Sequence, residues 1–311
     1  MGWRFRWVMN KSSGYIDLGK HKGRLSLIGN DALDLLDRLT TNRITDLTNT
    51  GMGMGAVLTT NKGRIIDLLS VHVEEKGLMV LTSGNATEKV SDWIDFYTIM
   101  EDVQTENVSD QTFHFRVISP SSEIEILPDT TDIKPFHGVY SEIAGVESLV
   151  ISVQVGNLSC IDLIGSAVNG DFIESKLDDY LGRISLEEYD RFRINAGEPA
   201  YGSELTEDFN PLEAGLLPYI SFNKGCYIGQ EVVARLNTYD KVQRKLVKFE
   251  WDSEDPELSG KAIEDEDRVV GVMTSSLHGL GMGFIRKAKA EEGNTMTCDG
   301  VKITVVDILA S

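Results

Sequence analysis

Apolar positions in the first hundred residues switch between two periods. Residues 24–28 (RLSLI) alternate as a strand does, whereas 30–39 (NDALDLLDRL) put Leu33, Leu36 and Leu39 on one helical face behind Asn30, a candidate N-cap. Strands are predicted over 53–60, 64–73 and 77–82, with turn signals at Asn61-Lys62-Gly63 and Lys76-Gly77. A helix opened by Ser83 or Asn85 follows, with Val90, Trp93, Ile94 and Tyr97 on one face. Alternation returns near 111–118, 123–127 and 149–155, and also in Trp3, Phe5 and Trp7, which alternate with Arg4 and Arg6 as in a half-buried strand. Residues 185–196 carry a capping box, Ser185 with Glu188, and Gly197 and Pro199 stop that helix.

From Val242 onward the pattern is strands only: 242–250, 268–275, 280–285, 295–298 and 301–308. Asp299-Gly300 between the last two is a type I′ hairpin signal. Residues 250–267 hold nine acids and one lysine and read as a solvated loop. Short antiparallel-type strands with segregated helices predict an α+β protein, ending in a small β-barrel over 242–311.

The 311 residues suggest two or three domains, and the net charge of −19 argues against a whole-surface nucleic-acid binder, since phosphate contacts need a basic footprint. No stretch approaches the roughly 20 apolar residues of a bilayer span, and the first ten residues lack a secretory h-region. Only three cysteines occur, Cys160, Cys226 and Cys298, far apart, which fits a reducing compartment without a disulfide framework. A cytoplasmic protein with no membrane partner is expected. None of the five histidines has metal-ligand spacing and no cysteine has a CxxC partner, so no metal centre is expected.

One segment carries candidate chemistry: 222–236, FNKGCYIGQEVVARL. Gly225 and Gly229 there would supply torsions or close approach that a Cβ forbids. Glu231 falls in the first turn of a predicted helix, where the exposed amides favour a carboxylate. Cys226 thus lies near a helix start with Lys224 two residues away, and both influences favour the thiolate. The alternative is a small buried hydrophobe, which is what most free cysteines are, and residue types alone leave both open.

This segment resembles the signature of the YgfZ family, relatives of the glycine-cleavage T-protein. Its pattern K-G-C-[FY]-x-G-Q-E-x-x-[AS]-R is matched by Lys224, Gly225, Cys226, Tyr227, Gly229, Gln230, Glu231, Ala234 and Arg235. Residues 35–47, 60–73, 191–205 and 271–287 are similar to further parts of that family. The resemblance implies a three-lobed T-protein-like fold around a central folate channel. Two interleaved lobes would fill 1–241, roughly 1–48 with 110–185 and 49–109 with 186–241. It implies tetrahydrofolate as ligand, a role in sustaining iron–sulfur enzymes, among them radical enzymes that modify transfer RNA, and a monomer working with those enzymes or with cluster carriers. Cys226, assisted by Lys224, becomes the residue on which function depends, as a thiolate or a transient iron–sulfur cluster ligand. Folate contacts are expected from Arg193, Asn195, Tyr227, Gln230, Glu231, Arg235, Asp67, Lys62 and Arg64.

Two departures from the T-proteins limit what carries over. Their strand equivalent to 64–69 holds two adjacent aspartates. Here it reads RIIDLL, with Ile66 in the first place and Asp67 in the second, which argues against aminomethyl transfer. Where they read R-[LI]-E-A-G, with the glutamate gripping the pterin, this chain has Asn195, an amide that keeps a donor and an acceptor but no charge. A local basic island, Arg235, Lys241, Arg244, Lys245 and Lys248, follows the signature; a solvated face, a folate-tail contact or a nucleic-acid-bound partner fits it.

Overall fold

The computed structural model describes residues 13–118, 124–128, 132–156, 158–252 and 257–310. In chain order the first elements are β1 (Gly14–Asp17), β2 (Lys22–Ile28), α1 (Ala32–Leu39), β3 (Gly53–Thr59), β4 (Ile65–Glu74), β5 (Gly77–Ser83) and α2 (Thr87–Tyr97). Then come β6 (Gln104–Asn107), β7 (Thr112–Ile118), β8 (Gly138–Ile143), β9 (Val146–Val155), β10 (Leu158–Ser166), α3 (Gly170–Asp178), β11 (Gly182–Arg183) and α4 (Leu186–Ala196). Helix α5 (Gln230–Thr238) leads into β12 (Arg244–Glu250), β13 (Ala262–Asp265), β14 (Arg268–Leu277), β15 (Leu280–Arg286), β16 (Thr295–Cys298) and β17 (Val301–Ile308).

These strands make three bodies: a five-stranded sheet β3-β4-β5-β2-β6, a six-stranded sheet β11-β1-β7-β10-β9-β8, and a closed barrel β12-β15-β14-β13-β16-β17. The α+β architecture with a terminal barrel is therefore as the alternating patterns predict. Period-two alternation explains the layering. On β5, Leu78 and Val80 face α1 and α2 together with Leu35, Leu36, Val90 and Ile94, while Met79 and Leu81 face the other way, onto Leu149, Ile151 and Ile164 of the second sheet. The barrel fills its interior with Phe249, Met273, Ile285 and Ile303 and presses Phe284 against Phe209, ring centroids 3.5 Å apart.

Several expectations need correction. Residue 31, not Asn30, occupies the N-cap of α1; the Asn30 amide instead donates to Asp102 Oδ2 at 2.8 Å, and the Asp102 N–H donates to Asp31. Residues 124–127 form a turn, closed by Leu127 N–H to Ile124 O, and Ile124 is buried through loop packing rather than strand alternation. The acidic stretch 250–267 is not all loop: it holds β13, whose one inward residue is Ile263. Residues 22–48, grouped above with 110–185, contribute β2 and α1 to the five-stranded sheet and its core. Residues Trp3, Phe5 and Trp7 lie outside the described region.

Candidate ligand cavity and cysteine loop

The signature segment is bolted down at both ends. At its start Ser221 N–H donates to Thr41 O and the Arg43 guanidinium donates to Asn223 O. Lys224 is buried and spends its ammonium on the C-terminus of α1, donating to Asp37 O, to Thr40 O at 2.9 Å and to Asn42 O at 2.6 Å. The Asp37 carboxylate is 3.2 Å away, and the Tyr227 ring lies 5.4 Å below the ammonium. This is a C-cap made by a distant lysine, satisfying carbonyls that a helix end leaves unpaired. Burial lowers the Lys224 pKa, with Asp37 opposing the shift. Lys224 is thus occupied as a brace, and the expected pairing with Cys226 is replaced by these contacts.

At the other end Ile228 donates its N–H to Arg38 O and accepts from Thr59 Oγ1 at 2.6 Å. Gly229 has φ +85°, and a Cβ there would fall 2.5 Å from Thr60 O and 3.0 Å from Gly63 Cα. Gly225, by contrast, has open space around its Cβ position and no positive φ, so the expected need for glycine holds at 229 and not at 225. Tyr227 is buried, its hydroxyl pushed up to about 12 by that burial. Gln230 opens α5 and returns its amide to Gly225 O at 3.3 Å, while Glu231 and Arg235 are exposed on the helix. Between the braces sits Cys226, an exposed thiol; Cys160 and Cys298 are buried. Of the two readings of Cys226, the buried hydrophobe is the wrong one.

The β3–β4 hairpin, 59–65, lies against this loop. Lys62 is exposed, and Arg64 donates to Asp208 O at 2.9 Å. Ile66 is core, among Leu35, Leu69 and Val71. Asp67 is fully buried, with both oxygens engaged by Ser83, from its N–H and its hydroxyl at 2.8 Å each, and burial raises its pKa.

A cavity of about 320 Å³ opens where the two sheets, the end of α4, residues 214–219 and Leu309 meet. Its polar lining was not foreseen. Arg116 on β7 and Asp162 on β10 are register partners and form a bidentate pair at 2.7 and 2.9 Å. Arg116 also donates to the Tyr189 hydroxyl at 2.8 Å and lies 3.4 Å from Glu198 Oε1. Burial would raise the Asp162 pKa, but Arg116 and then His114 hold it well below the usual carboxylate range. His114, fully buried, lies 3.1 Å from Asp162 Oδ2, yet neither ring nitrogen makes an aligned hydrogen bond; burial pushes its pKa down. Glu198 Oε2 is likewise sheltered and unpaired. Phe136 and Tyr219 form an aromatic wall, edge to face at 5.8 Å. The signal in the sequence was a lone charge inside each of two apolar strands, FHFRVI and CIDLI, opposite in sign; a buried charge demands a partner.

The expected folate residues scatter around this cavity rather than line it. Asn195 is exposed on the last turn of α4, and its carbonyl accepts from Lys248 at 2.9 Å. Arg193 pairs with Asp190 on its own helix and ties α4 to Ser275 of the barrel. Neither these two nor Asp67, Lys62, Arg64, Tyr227, Gln230, Glu231 or Arg235 lines the cavity, whereas Lys22, Ser70 and Gln154 do. In the basic island, Arg244 pairs with Glu213 at 3.0 Å and Lys248 lies 3.7 Å from Asp307.

Residues 6–155 match the GCVT N-terminal domain and residues 243–308 the C-terminal beta-barrel domain of CAF17. A putative chloroplastic transferase of Arabidopsis thaliana is 30% identical over 91% of this chain and 67% of its own length. The aminomethyltransferase of Thermotoga maritima is 30% identical over 82% of this chain and 70% of its own, and that of Caldanaerobacter subterraneus 28% over 92% and 80%. The glycine-cleavage aminomethyltransferase T of Bartonella henselae superposes with a TM-score of 0.82 at 17% identity, covering 96% of this chain and 86% of that one, a likeness of fold. With a GCVT domain in front and a CAF17 barrel behind, the chain belongs to the T-protein-like family in its YgfZ/CAF17 branch.

Proposed function

We propose that this protein binds tetrahydrofolate in the cavity between its sheets and acts as an accessory protein for iron–sulfur enzymes, meeting them or their cluster carriers through Cys226. The observation that carries the reading is the cavity itself, which combines an aromatic wall, Phe136 and Tyr219, with a polar lining of His114, Arg116, Asp162 and Glu198. Its 320 Å³ is at the low end of ligand pockets, about 300–1,000 Å³, which suits a bicyclic head with the remainder reaching outward. Bound there, a reduced folate would supply a nucleophilic ring nitrogen able to take up a one-carbon unit. The chain's part is to seat the head group, to keep water from it, and to hold Arg116 and Asp162 as a fixed, mutually neutralised pair behind it.

Among the described residues no three His, Cys, Asp or Glu side chains gather as a metal site. Cys226 is an exposed thiol, which supports its acting on a cluster or partner from outside. The relatives named as aminomethyltransferases favour a second reading, a tetrahydrofolate-dependent one-carbon transferase. Against it, Ile66 is core and Asp67 has both oxygens held by Ser83 outside the cavity lining.

Two measurements test the proposal. Calorimetry with tetrahydrofolate should give saturable binding and a raised melting temperature, since a ligand that binds only the native state stabilises it. In a strain deleted for the gene, wild type should restore iron–sulfur enzyme activities and Cys226→Ala should not. Full restoration by Cys226→Ala, or turnover of an aminomethylated substrate by the wild type, would count against the accessory role.

A further inference from the structure

We infer that the end of α2 is a docking tip for a partner protein that offers an apolar pocket rimmed by lysine or arginine. This deepens the accessory reading above and rests on it for the partner's link to Cys226. The helix itself explains why the tip is bare. Val90 and Ile94 point α2 into the core, and Phe96, about 200° further round the helix than Ile94, faces away from it. Phe96 is 72% exposed, and Ile99 and Met100, in the turn that follows, are 83% and 93% exposed. Apolar side chains that bare stand proud of the surface, so the concave half of the contact belongs to the partner. Single exposed apolar residues are ordinary, but large ones clustered over residues 96–100 make a patch of the kind that marks an interaction site.

The tip is held in shape without being covered. The Glu101 carboxylate accepts from the N–H groups of Ile99 and Met100 at 2.8 and 3.0 Å, and from Arg38 Nη2 at 2.9 Å, which ties the turn to α1. Phe96 packs edge to face on Tyr97, and Tyr97 packs on Trp93. A tip already ordered loses little freedom on docking. The same end of α1 serves the cysteine loop: Arg38 O accepts from Ile228 N–H, and Asp37 O and Thr40 O accept from Lys224. Tip and thiol are mounted on one helix end, so one partner can engage both. Charge selects that partner. Asp92, Asp95 and Asp102 are exposed beside the apolar side chains and Asp34 is exposed on α1. The nearby cations are committed, Arg38 to Asp34 and Glu101, and Lys89 to Glu207. The rim is therefore acidic. A second copy of this chain would set acid against acid and an anionic membrane would be repelled, whereas a basic rim completes the contact.

Two experiments test the tip, one in the cell and one on the purified chain. In the strain deleted for the gene, Phe96→Ser, Ile99→Ser and Met100→Ser combined should restore iron–sulfur enzyme activities at least about fivefold less well than wild type. The melting temperature and Cys226 alkylation of this triple variant should match wild type, since exposed side chains alone are changed. The purified chain is then titrated by calorimetry with β-cyclodextrin bearing an ammonium rim, an apolar cavity ringed by positive charge, and with neutral β-cyclodextrin. Wild type should bind the cationic probe at least about fivefold more tightly than the neutral one, a preference that added salt erases. Asp92→Asn with Asp95→Asn should cut that preference to under about twofold, and the triple variant should bind the cationic probe about tenfold more weakly. Full restoration by the triple variant where Cys226→Ala fails overturns the inference and leaves the accessory reading standing. If wild type does not restore activity, or Cys226→Ala restores it fully, the accessory reading falls and the probes alone judge the tip. Equal binding of the two probes, or unchanged binding by the triple variant, overturns it there. Dimerisation in sedimentation, or flotation with phosphatidylcholine vesicles, each lost in the triple variant, would overturn it in favour of a second copy or a membrane.

Discussion

Replacing Lys224 by methionine separates a brace from a catalytic helper. The substitution keeps the length of the side chain and removes the ammonium that serves Asp37 O, Thr40 O and Asn42 O, with the Asp37 carboxylate 3.2 Å away. Each buried acceptor left without a donor costs about 1–3 kcal/mol, and breaking a buried ion pair by removing one partner about 3–5 kcal/mol. The two figures overlap here, because one ammonium serves all the acceptors, and water will reach part of the partly exposed Asp37. The expected loss is about 3–5 kcal/mol, a large share of the ~5–15 kcal/mol that holds an ordinary domain together. Urea denaturation of Lys224→Met against wild type, compared at equal slope, gives the number. The same variant should leave Cys226 alkylation at neutral pH within about threefold of wild type while the protein stays folded, since no ammonium at the thiol is being removed. A stability loss under 1 kcal/mol together with a tenfold slower alkylation would refute the reasoning and make Lys224 the counter-ion of the thiolate.

Further outcomes follow from the same contacts. Gly229→Ala should destabilise by more than about 2 kcal/mol, having positive φ and a Cβ 2.5 Å from Thr60 O, whereas Gly225→Ala, with open space, should change stability by under about 0.5 kcal/mol; equal effects in urea would contradict the assigned backbone geometry. Burial holds His72 neutral down to about 4 against an ordinary 6.5, so the unfolded chain takes up a proton first as pH falls. This amounts to about 3 kcal/mol of stability that is intact above pH 6.5 and lost progressively toward pH 4. His72→Asn should abolish that part of the pH dependence in urea titrations, and parallel curves for the two proteins would disprove it. Mass-spectrometric alkylation of the folded protein should label Cys226 well before Cys160 or Cys298, the last also disfavoured by a thiol pushed up to about 11 by burial; equal labelling would mean that the loop is not displayed as described. Ile66→Asp should lower stability by at least about 3 kcal/mol and create no aminomethyl transfer, since a carboxylate placed among Leu35, Leu69 and Val71 is desolvated and unsupported; measurable methylene-tetrahydrofolate formation by this variant would be the contrary result.

Local pattern was readable where one face of an element decided its burial. The hairpins of β3 to β5, the Ser185–Glu188 capping box and the Asp299-Gly300 turn, with φ values of 49° and 78°, all appear where alternation or turn chemistry puts them. Strand β13 escaped because a single buried residue, Ile263, makes no pattern. Asn30 and Asp31 are both good caps, and the choice between them was made by Asp102, which is 71 and 72 residues away. Long-range pairing defeats local reading in the same way at the cavity. The charges of Arg116 and Asp162 were conspicuous one by one, but only strand register makes them neighbours.

The signature shows a different limit, because its residues divide into those that hold the loop and those that the loop presents. Lys224, Tyr227 and Gly229 are buried or closely packed against α1 and the β3–β4 hairpin, while Cys226, Glu231 and Arg235 are exposed. A sequence pattern treats both groups alike, since it records residue types and not where each side chain goes. Sequence proximity then misleads: Lys224 is two residues from Cys226, yet its flexible side chain spends its charge on carbonyls more than 180 residues back in the chain. The physical consequence favours the thiol all the same. A cysteine carried on a loop pinned at Lys224 and at Gly229 has little backbone freedom left to lose when a partner docks. The ordering cost that weakens association through mobile loops has therefore been met during folding. On the role proposed for Cys226, the brace would contribute by fixing where the sulfur is, and it would need no contact with the sulfur to do so.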